Sequence, residues 1–326
     1  MPLSTSVVLC TYNGARYLAA QWASLLAQTR LPNEIVVRDD ASTDATPGML
    51  EDLARRAADR GVRVRVVRNP RNVGYLANFE AALGDASGDV LFLCDQDDVW
   101  HPEKLGIQLA EFERRPGLLL LCGDARRVDA VGTELPRSLF GVLGISRSER
   151  RRIHAARGFE VLLRRSLATG ATTALRRSLL AGALPFPAGW VHDEWLAIMA
   201  AARGGFDFLD SALVEYRQHA ANQIGMPERG LAAKWQDLRR PRAVMIDALI
   251  ARNEALLQRL QVQGDAVPAA CCAQTADKLR HLRVRAAMHG PPWGRFGDVL
   301  RETLNGNYRR HGTGWRSALR DLLRRG

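Results

Sequence analysis

Leu91-Phe92-Leu93-Cys94-Asp95-Gln96-Asp97-Asp98 sets four apolar residues directly against three carboxylates. A short apolar run of this kind reads as a buried strand. Carboxylates close behind such a strand are costly unless they are paired or put to use. Two earlier segments share the plan. Val7-Val8-Leu9-Cys10 runs into Thr11-Tyr12-Asn13, and Ile35-Val36-Val37 runs into Arg38-Asp39-Asp40-Ala41-Ser42-Thr43-Asp44.

Helical patterns separate these strands. Tyr17, Leu18, Trp22, Leu25 and Leu26 fall near helical spacing within Ala15–Gln28, and Pro32 ends that segment. Thr43 or Asp44 can cap a helix running to about Arg60. Val62–Val67 reads as a strand, Tyr75–Leu83 as a helix, Asp89–Cys94 as a buried strand, and Glu103–Arg115 as a helix with Pro102 in its first turn. Leu118–Cys122 is a further buried run. The alternation predicts an α/β fold with a mostly parallel sheet and helices on both faces. Beyond Ala130 the pattern mixes helices and short strands. After Pro227 it is helical and basic, interrupted at Pro241, Gly264–Pro268 and Gly290–Pro292. The expected division is a catalytic domain over 1–226 and a basic helical extension over 227–326.

Ligands of open parallel sheets bind beyond the carboxyl ends of the strands. The Thr11-Tyr12-Asn13, Asp39–Asp44 and Asp95–Asp98 groups would therefore face one crevice. Carboxylates so crowded repel one another unless a cation or hydrogen-bond donors sit between them. A divalent metal or the ribose hydroxyls and base N–H groups of a nucleotide would serve. Plainer roles compete: Asp44 as a helix cap, and Asp98 as part of the turn or cap before the Pro102 helix. No Gly-x-Gly-x-x-Gly follows the first strand and no Walker lysine loop is present, so a backbone cradle for a dinucleotide or ATP is not expected.

Composition narrows the class. The chain has 326 residues, 47% of them hydrophobic, which is too apolar for a disordered protein. No stretch approaches the ~20 apolar residues of a spanning helix. Met1–Cys10 lacks a basic leader, and its apolar run is too short for a signal peptide. Five cysteines without a Cys-x-x-Cys pair argue for a reducing compartment and against a disulfide frame or zinc site. These features lead us to expect a cytoplasmic protein.

The net charge of +11 is concentrated at one end. Residues 227–326 hold 19 Lys and Arg against 9 Asp and Glu, whereas residues 1–226 are nearly balanced. All but three of the chain's basic residues are arginine, part of which reads as codon bias. A basic tail suits an anionic partner, either nucleic acid or a membrane surface.

Together with Gln28-Thr29 and Asn72-Val73-Gly74, the Val7–Gly14, Glu34–Asp44 and Asp95–Trp100 segments resemble the inverting family 2 glycosyltransferases, which have the GT-A fold for nucleotide-diphospho-sugars. His192-Asp193-Glu194-Trp195 and Tyr216-Arg217-Gln218-His219 resemble the rhamnosyltransferase-like branch of bacterial polysaccharide enzymes. The resemblance covers about residues 1–225. It implies that Thr11 and Tyr12 line the nucleotide pocket and that Asp40 accepts the pyrimidine imide N–H. Asp95 and Asp97 would be the Asp-x-Asp pair, the first near ribose and metal, the second a ligand of Mg²⁺ or Mn²⁺. His219 would reach the metal or diphosphate. Asp193 would be the general base, with Glu194 as runner-up; alternatively Asp193 caps a helix whose apolar face is Trp195, Leu196, Ile198 and Met199. The donor implied is a dTDP- or UDP-sugar, dTDP-L-rhamnose in the rhamnosyltransferase branch, and the acceptor a lipid-linked saccharide or oligosaccharide.

One departure matters. The family's processive members carry Gln-x-x-Arg-Trp and several spanning helices, while the nearest string here is Gln236-Asp237-Leu238-Arg239-Arg240. That implies a non-processive enzyme adding one or few sugars at the cytoplasmic face. Nucleic acid is not expected as a partner, because the basic charge lies in the tail and the crevice is acidic. The tail is expected to lay Arg-rich faces on anionic lipid at the inner membrane surface, with oligomerisation as its other use.

Overall fold

The computed structural model describes residues 2–219, 242–288 and 292–323. The Gln236–Arg240 string and the 226/227 boundary lie outside the described residues. Close packing groups the chain into two units. One comprises Met1–Gly158, Leu167–Phe186 and Val191–Gly225; the other comprises Phe159–Ser166, Pro187–Trp190 and Met226–Gly326.

The first unit is built on an eight-stranded sheet. Its strands are β1 (Thr5–Thr11), β2 (Glu34–Asp39), β3 (Arg63–Arg68), β4 (Val90–Asp95), β5 (Val99–Trp100), β6 (Leu120–Val128), β7 (Thr173–Arg176) and β8 (Phe206–Arg217), in spatial order β3-β2-β1-β4-β7-β6-β8-β5. β3, β2, β1 and β4 are parallel. β7 lies antiparallel between β4 and β6, β8 runs parallel to β6, and β5 pairs antiparallel with β8. The chain moves from β1 out to β3 and then returns to the other side of β1 with β4. That reversal is the topological switch point where open sheets form a crevice.

Helices α1 (Ala15–Leu26), α2 (Thr46–Ala58), α3 (Tyr75–Asp85) and α4 (Lys104–Arg114) connect the parallel strands and flank the sheet. Val7–Leu9, Ile35–Val37 and Val90–Leu93 are buried, as strands covered on both faces must be. Leu18, Trp22 and Leu25 of α1 and Leu105, Leu109 and Phe112 of α4 close the core. Each such side chain contributes roughly 1.5–3 kcal/mol of burial. The short helices α5 (Leu139–Leu143), α6 (Arg147–His154), α7 (Gly158–Leu162) and α8 (Leu180–Ala183) follow, then α9 (His192–Ala202), whose residues Trp195–Ala202 are buried all round.

Some local expectations change. The N-cap of α2 is Ala45, not Thr43 or Asp44; Asp44 acts from one residue earlier, accepting Thr46 N–H at 2.9 Å. Val191 is the N-cap of α9, so Asp193 sits inside the first turn instead of capping it. The Leu118–Cys122 run continues through Arg126 and Arg127 to Val128 as β6.

The second unit contains α10 (Arg242–Val262), α11 (Ala269–Ala287), α12 (Pro292–Leu304), α13 (Asn307–His311) and α14 (Trp315–Leu323). Met288, Val299, Tyr308 and Ala318 form its small apolar core. Asp321 is fully buried and accepts hydrogen bonds from Arg285 Nε at 2.6 Å and Tyr308 Oη at 2.7 Å. Buried His281 and Glu302 pair at 2.6 Å. Among the described residues, no helix is long and apolar enough to cross a membrane.

Candidate active site

Parallel register brings the polar strand ends together. Thr11 pairs with Asp39 across β1–β2, and Cys10 with Asp95 across β1–β4. The Thr11 hydroxyl donates to Asp39 at 2.9 Å. Asp39 also takes the Ser42 N–H and hydroxyl. Asp40 accepts from Asn69 Nδ2 at 2.9 Å, Val73 N–H at 2.8 Å and Gly74 N–H at 2.9 Å, tying the Asn72-Val73-Gly74 loop to the end of β2. A carboxylate has about four acceptor sites, so about one remains for a ligand.

Tyr12 is half-exposed, its ring open to solvent beside this pocket. Its backbone is clamped by Gln96, which accepts the Tyr12 N–H at 2.8 Å and donates to the Tyr12 carbonyl at 3.0 Å. The clamp explains Gly14: a Cβ there would lie 2.1 Å from Gln96 Oε1. Asp44 accepts Ala15 N–H and so ties the starts of α1 and α2, a structural role.

The Asp95–Asp98 turn divides its carboxylates. Asp97 Oδ2 meets His219 Nε2 at 2.8 Å, and the His219 ring stacks on Tyr17 at 4.8 Å. Asp98 is buried and is no part of the α4 cap; its Oδ1 accepts Arg217 N–H at 3.0 Å while Oδ2 has no partner. Arg217 Nε donates to the Asp97 carbonyl at 2.9 Å. The end of β8 thus holds both residues. Burial, with the charges of Asp97 and Asp193 added, pushes Asp95 up to about 7. Burial and the charges of Asp97 and Asp95 push Asp98 well up too. Beneath the turn Lys104 is fully buried, its ammonium 3.5 Å from the centre of the Trp100 ring and without a hydrogen-bond acceptor. Desolvation lowers it to about 7.

Asp193 joins this cluster from α9. Its Oδ2 accepts Gly170 N–H at 2.8 Å and its Oδ1 accepts Glu194 N–H at 2.7 Å. Burial outweighs these bonds and raises it to about 6. His192 walls the other side of Gly170. Its ring stacks on Phe79 at 4.2 Å, neither nitrogen has a partner, and burial lowers it to about 4. A Cβ on Gly170 would fall 2.8 Å from His192 Nε2, so only glycine brings its N–H to Asp193 here.

Sequence reasoning missed Gln96, Gly170, Tyr17 and Lys104 as parts of this site. Gln96 and Arg217 stood inside recognised motifs, whereas nothing in the sequence marks Gly170. A separate cleft of about 540 Å³, lined by Leu83, Asp89, Arg176 and Leu180, lies at the opposite, amino end of β4.

The fold is that of the GT-A transferases, an α/β sheet with a carboxylate-rich crevice at its switch point. The glycosyl transferase family 2 profile matches residues 6–182, over half the chain, and the chain belongs to that family. An uncharacterized glycosyltransferase, alr2836, from Nostoc is 32% identical over 141 residues, covering 41% of this chain and 42% of its own. Matched stretches thus span less than half of such relatives. TarS residues 1–349 from S. aureus, solved with UDP, superimposes with a TM-score of 0.53 at 20% identity, over 98% of this chain and 80% of its own. The mannosyltransferase PcManGT from Pyrobaculum calidifontis, solved with GDP-Man and Mn²⁺, gives 0.50 at 18% identity, over 94% and 76%. At these identities the two structures speak to the fold.

Proposed function

We propose that residues 1–226 form a metal-dependent, inverting, non-processive glycosyltransferase with Asp193 as general base. The observation that carries this is the setting of Asp193. It is fixed by Gly170 N–H, mounted on a buried helix, within the electrostatic reach of Asp95, and raised to about 6. A base near the working pH combines an available ionised form with a useful proton affinity. It would take the proton of the acceptor hydroxyl as that oxygen attacks the anomeric carbon from the face opposite the nucleoside diphosphate. Glu194, its neighbour, is assigned to the acceptor side of the loop.

The open ring of Tyr12 suits stacking on the base, with Thr11 beside it, and the remaining acceptor site of Asp40 suits a pyrimidine imide N–H. The donor is therefore a dTDP- or UDP-sugar, with dTDP-L-rhamnose favoured by the resemblance around His192-Asp193-Glu194-Trp195. The acceptor is a lipid-linked saccharide or oligosaccharide in cell-surface glycan synthesis. The enzyme works at the cytoplasmic face of a membrane, held by its C-terminal helices.

The residues fit a divalent cation. Asp98 Oδ2 is buried without a hydrogen-bond partner, and burial with the charges of Asp97 and Asp193 raises Asp95, so a cation beside these carboxylates would favour their ionised forms. Among the described residues, no three His, Cys, Asp or Glu side chains make a ready-built metal cage. Mg²⁺ or Mn²⁺ commonly takes one or two carboxylates and completes its shell with phosphate oxygens and water. Asp97, with Asp95 and His219, would hold it, and when bound it supplies positive charge to the departing diphosphate. His219 meanwhile orients Asp97, and Arg217 fixes the backbone beneath it.

Calorimetry with UDP and dTDP, with and without Mn²⁺, tests the reading. Metal-dependent binding of at least one supports it, and binding of neither sinks it. The anomeric configuration of the product by NMR tests inversion.

A further inference from the structure

Helices α12 and α14 are apolar on two faces, and packing uses only one. Val299 and Ala318 point inward with Met288 and Tyr308, and Leu322 packs beside them. On the other face α12 exposes Trp293, Phe296, Leu300 and Leu304, spaced by three and four residues and so forming one ridge. α14 exposes Trp315, Leu319 and Leu323 at steps of four. Trp293 is 80% exposed, Leu304 78% and Trp315 69%. Single exposed apolar residues are ordinary; seven on two helices that pack against each other mark an interaction surface.

Of the three acids in 292–323, Glu302 and Asp321 are buried against His281 and Arg285. Asp298, the third, pairs with Arg301. Arg301, Arg309, Arg310 and Arg316 are exposed. The exposed charges beside the apolar ridges are therefore the Asp298–Arg301 pair and three further arginines, a net positive surface.

We propose that this face docks on a bilayer surface rich in anionic lipid. The Trp, Phe and Leu side chains enter the headgroup boundary while the arginines meet lipid phosphates. Tryptophan suits that depth because its ring is apolar and its N–H is polar. A second copy of the chain fits less well, because a symmetric interface would set the same arginines against each other. The proposal sharpens the membrane assignment above to one face of two helices, and it is independent of which sugar is transferred.

The test is co-sedimentation of the full-length protein with vesicles of phosphatidylcholine, with and without phosphatidylglycerol. The protein is expected to bind the phosphatidylglycerol vesicles more tightly, and less so in high salt, where exposed charges are screened. Trp293→Ser with Trp315→Ser should weaken binding by about tenfold or more. Its thermal melt and nucleotide binding should stay unchanged, because both side chains are exposed. Arg309→Gln with Arg316→Gln should remove the preference for the anionic vesicle. The proposal is overturned if neither vesicle binds, or if the double-serine variant binds like the parent. It is also overturned if that variant converts a dimer to a monomer in analytical ultracentrifugation without changing lipid binding.

Discussion

The two units treat their acids in opposite ways. At the strand ends of the first, Asp95 and Asp98 are crowded by other carboxylates and raised by burial. In the second, Asp321 is fully buried but gripped by Arg285 and Tyr308, and Glu302 by His281 and Asn307. Paired acids inside a helical bundle are structural. Crowded acids at a sheet's switch point are a standing electrostatic cost that a ligand can relieve. Total charge hides this difference: an overall +11 coexists with an acidic crevice, because the basic excess lies in residues 227–326.

Substitutions should separate the two kinds of acid. The largest effect is expected from Asp193→Asn, which should lower sugar transfer by about 10²–10⁴-fold, the usual worth of a general base. Nucleotide affinity should hardly move; calorimetry beside an initial-rate assay reads both. An equal loss of binding would make Asp193 structural.

Next comes Asp321→Ala. It leaves Arg285 buried without its carboxylate and should cost about 3–5 kcal/mol. Urea denaturation would read this as a lower midpoint, and a change under about 1 kcal/mol would remove the contrast.

The pH dependence of transfer is the third test. The folded-state value of Asp193 is raised, so the base is ionised above about pH 6 and protonated below it. The rate should fall as the pH drops through about 6, under saturating donor and metal. An acid limb near 4 would point to an ordinary exposed carboxylate.

The smallest effect, of opposite sign, is expected for Asp95→Asn without metal. Removing a carboxylate that burial and the charges of Asp97 and Asp193 raise to about 7 should stabilise the protein at pH 8, read as a higher Tm. The gain should vanish near pH 4, where Asp95 is already protonated, and nucleotide binding should weaken.

Much of this was legible in the sequence, for a physical reason. An apolar run ending in carboxylates is a local pattern, so β1, β2, β4 and the residues following them could be read directly. The Asp193 segment was legible only through family resemblance. What escaped depends on partners distant in sequence. Asp98 looked like a cap because its acceptor role toward Arg217 spans 119 residues. Gly170 carries no side chain to notice, and its use follows from the approach of α9. β5 and β7, of two and four residues, are too short to show a period and are fixed by neighbouring strands. In the tail, helices were evident, but the burial of Glu302 and Asp321 and the exposure of Trp293 and Trp315 needed the fold.

The Gln96 clamp has a consequence for how the crevice can evolve. One side chain, placed between Asp95 and Asp97, bonds both backbone groups of Tyr12. The wall proposed for the base and the turn proposed for the diphosphate are therefore joined at one residue. Whatever fixes one also fixes the other, and linkage makes that influence mutual. On the proposed reading, a replacement at position 96 would disturb nucleobase and diphosphate contacts together, so new donor specificity would be more readily gained where the sugar sits.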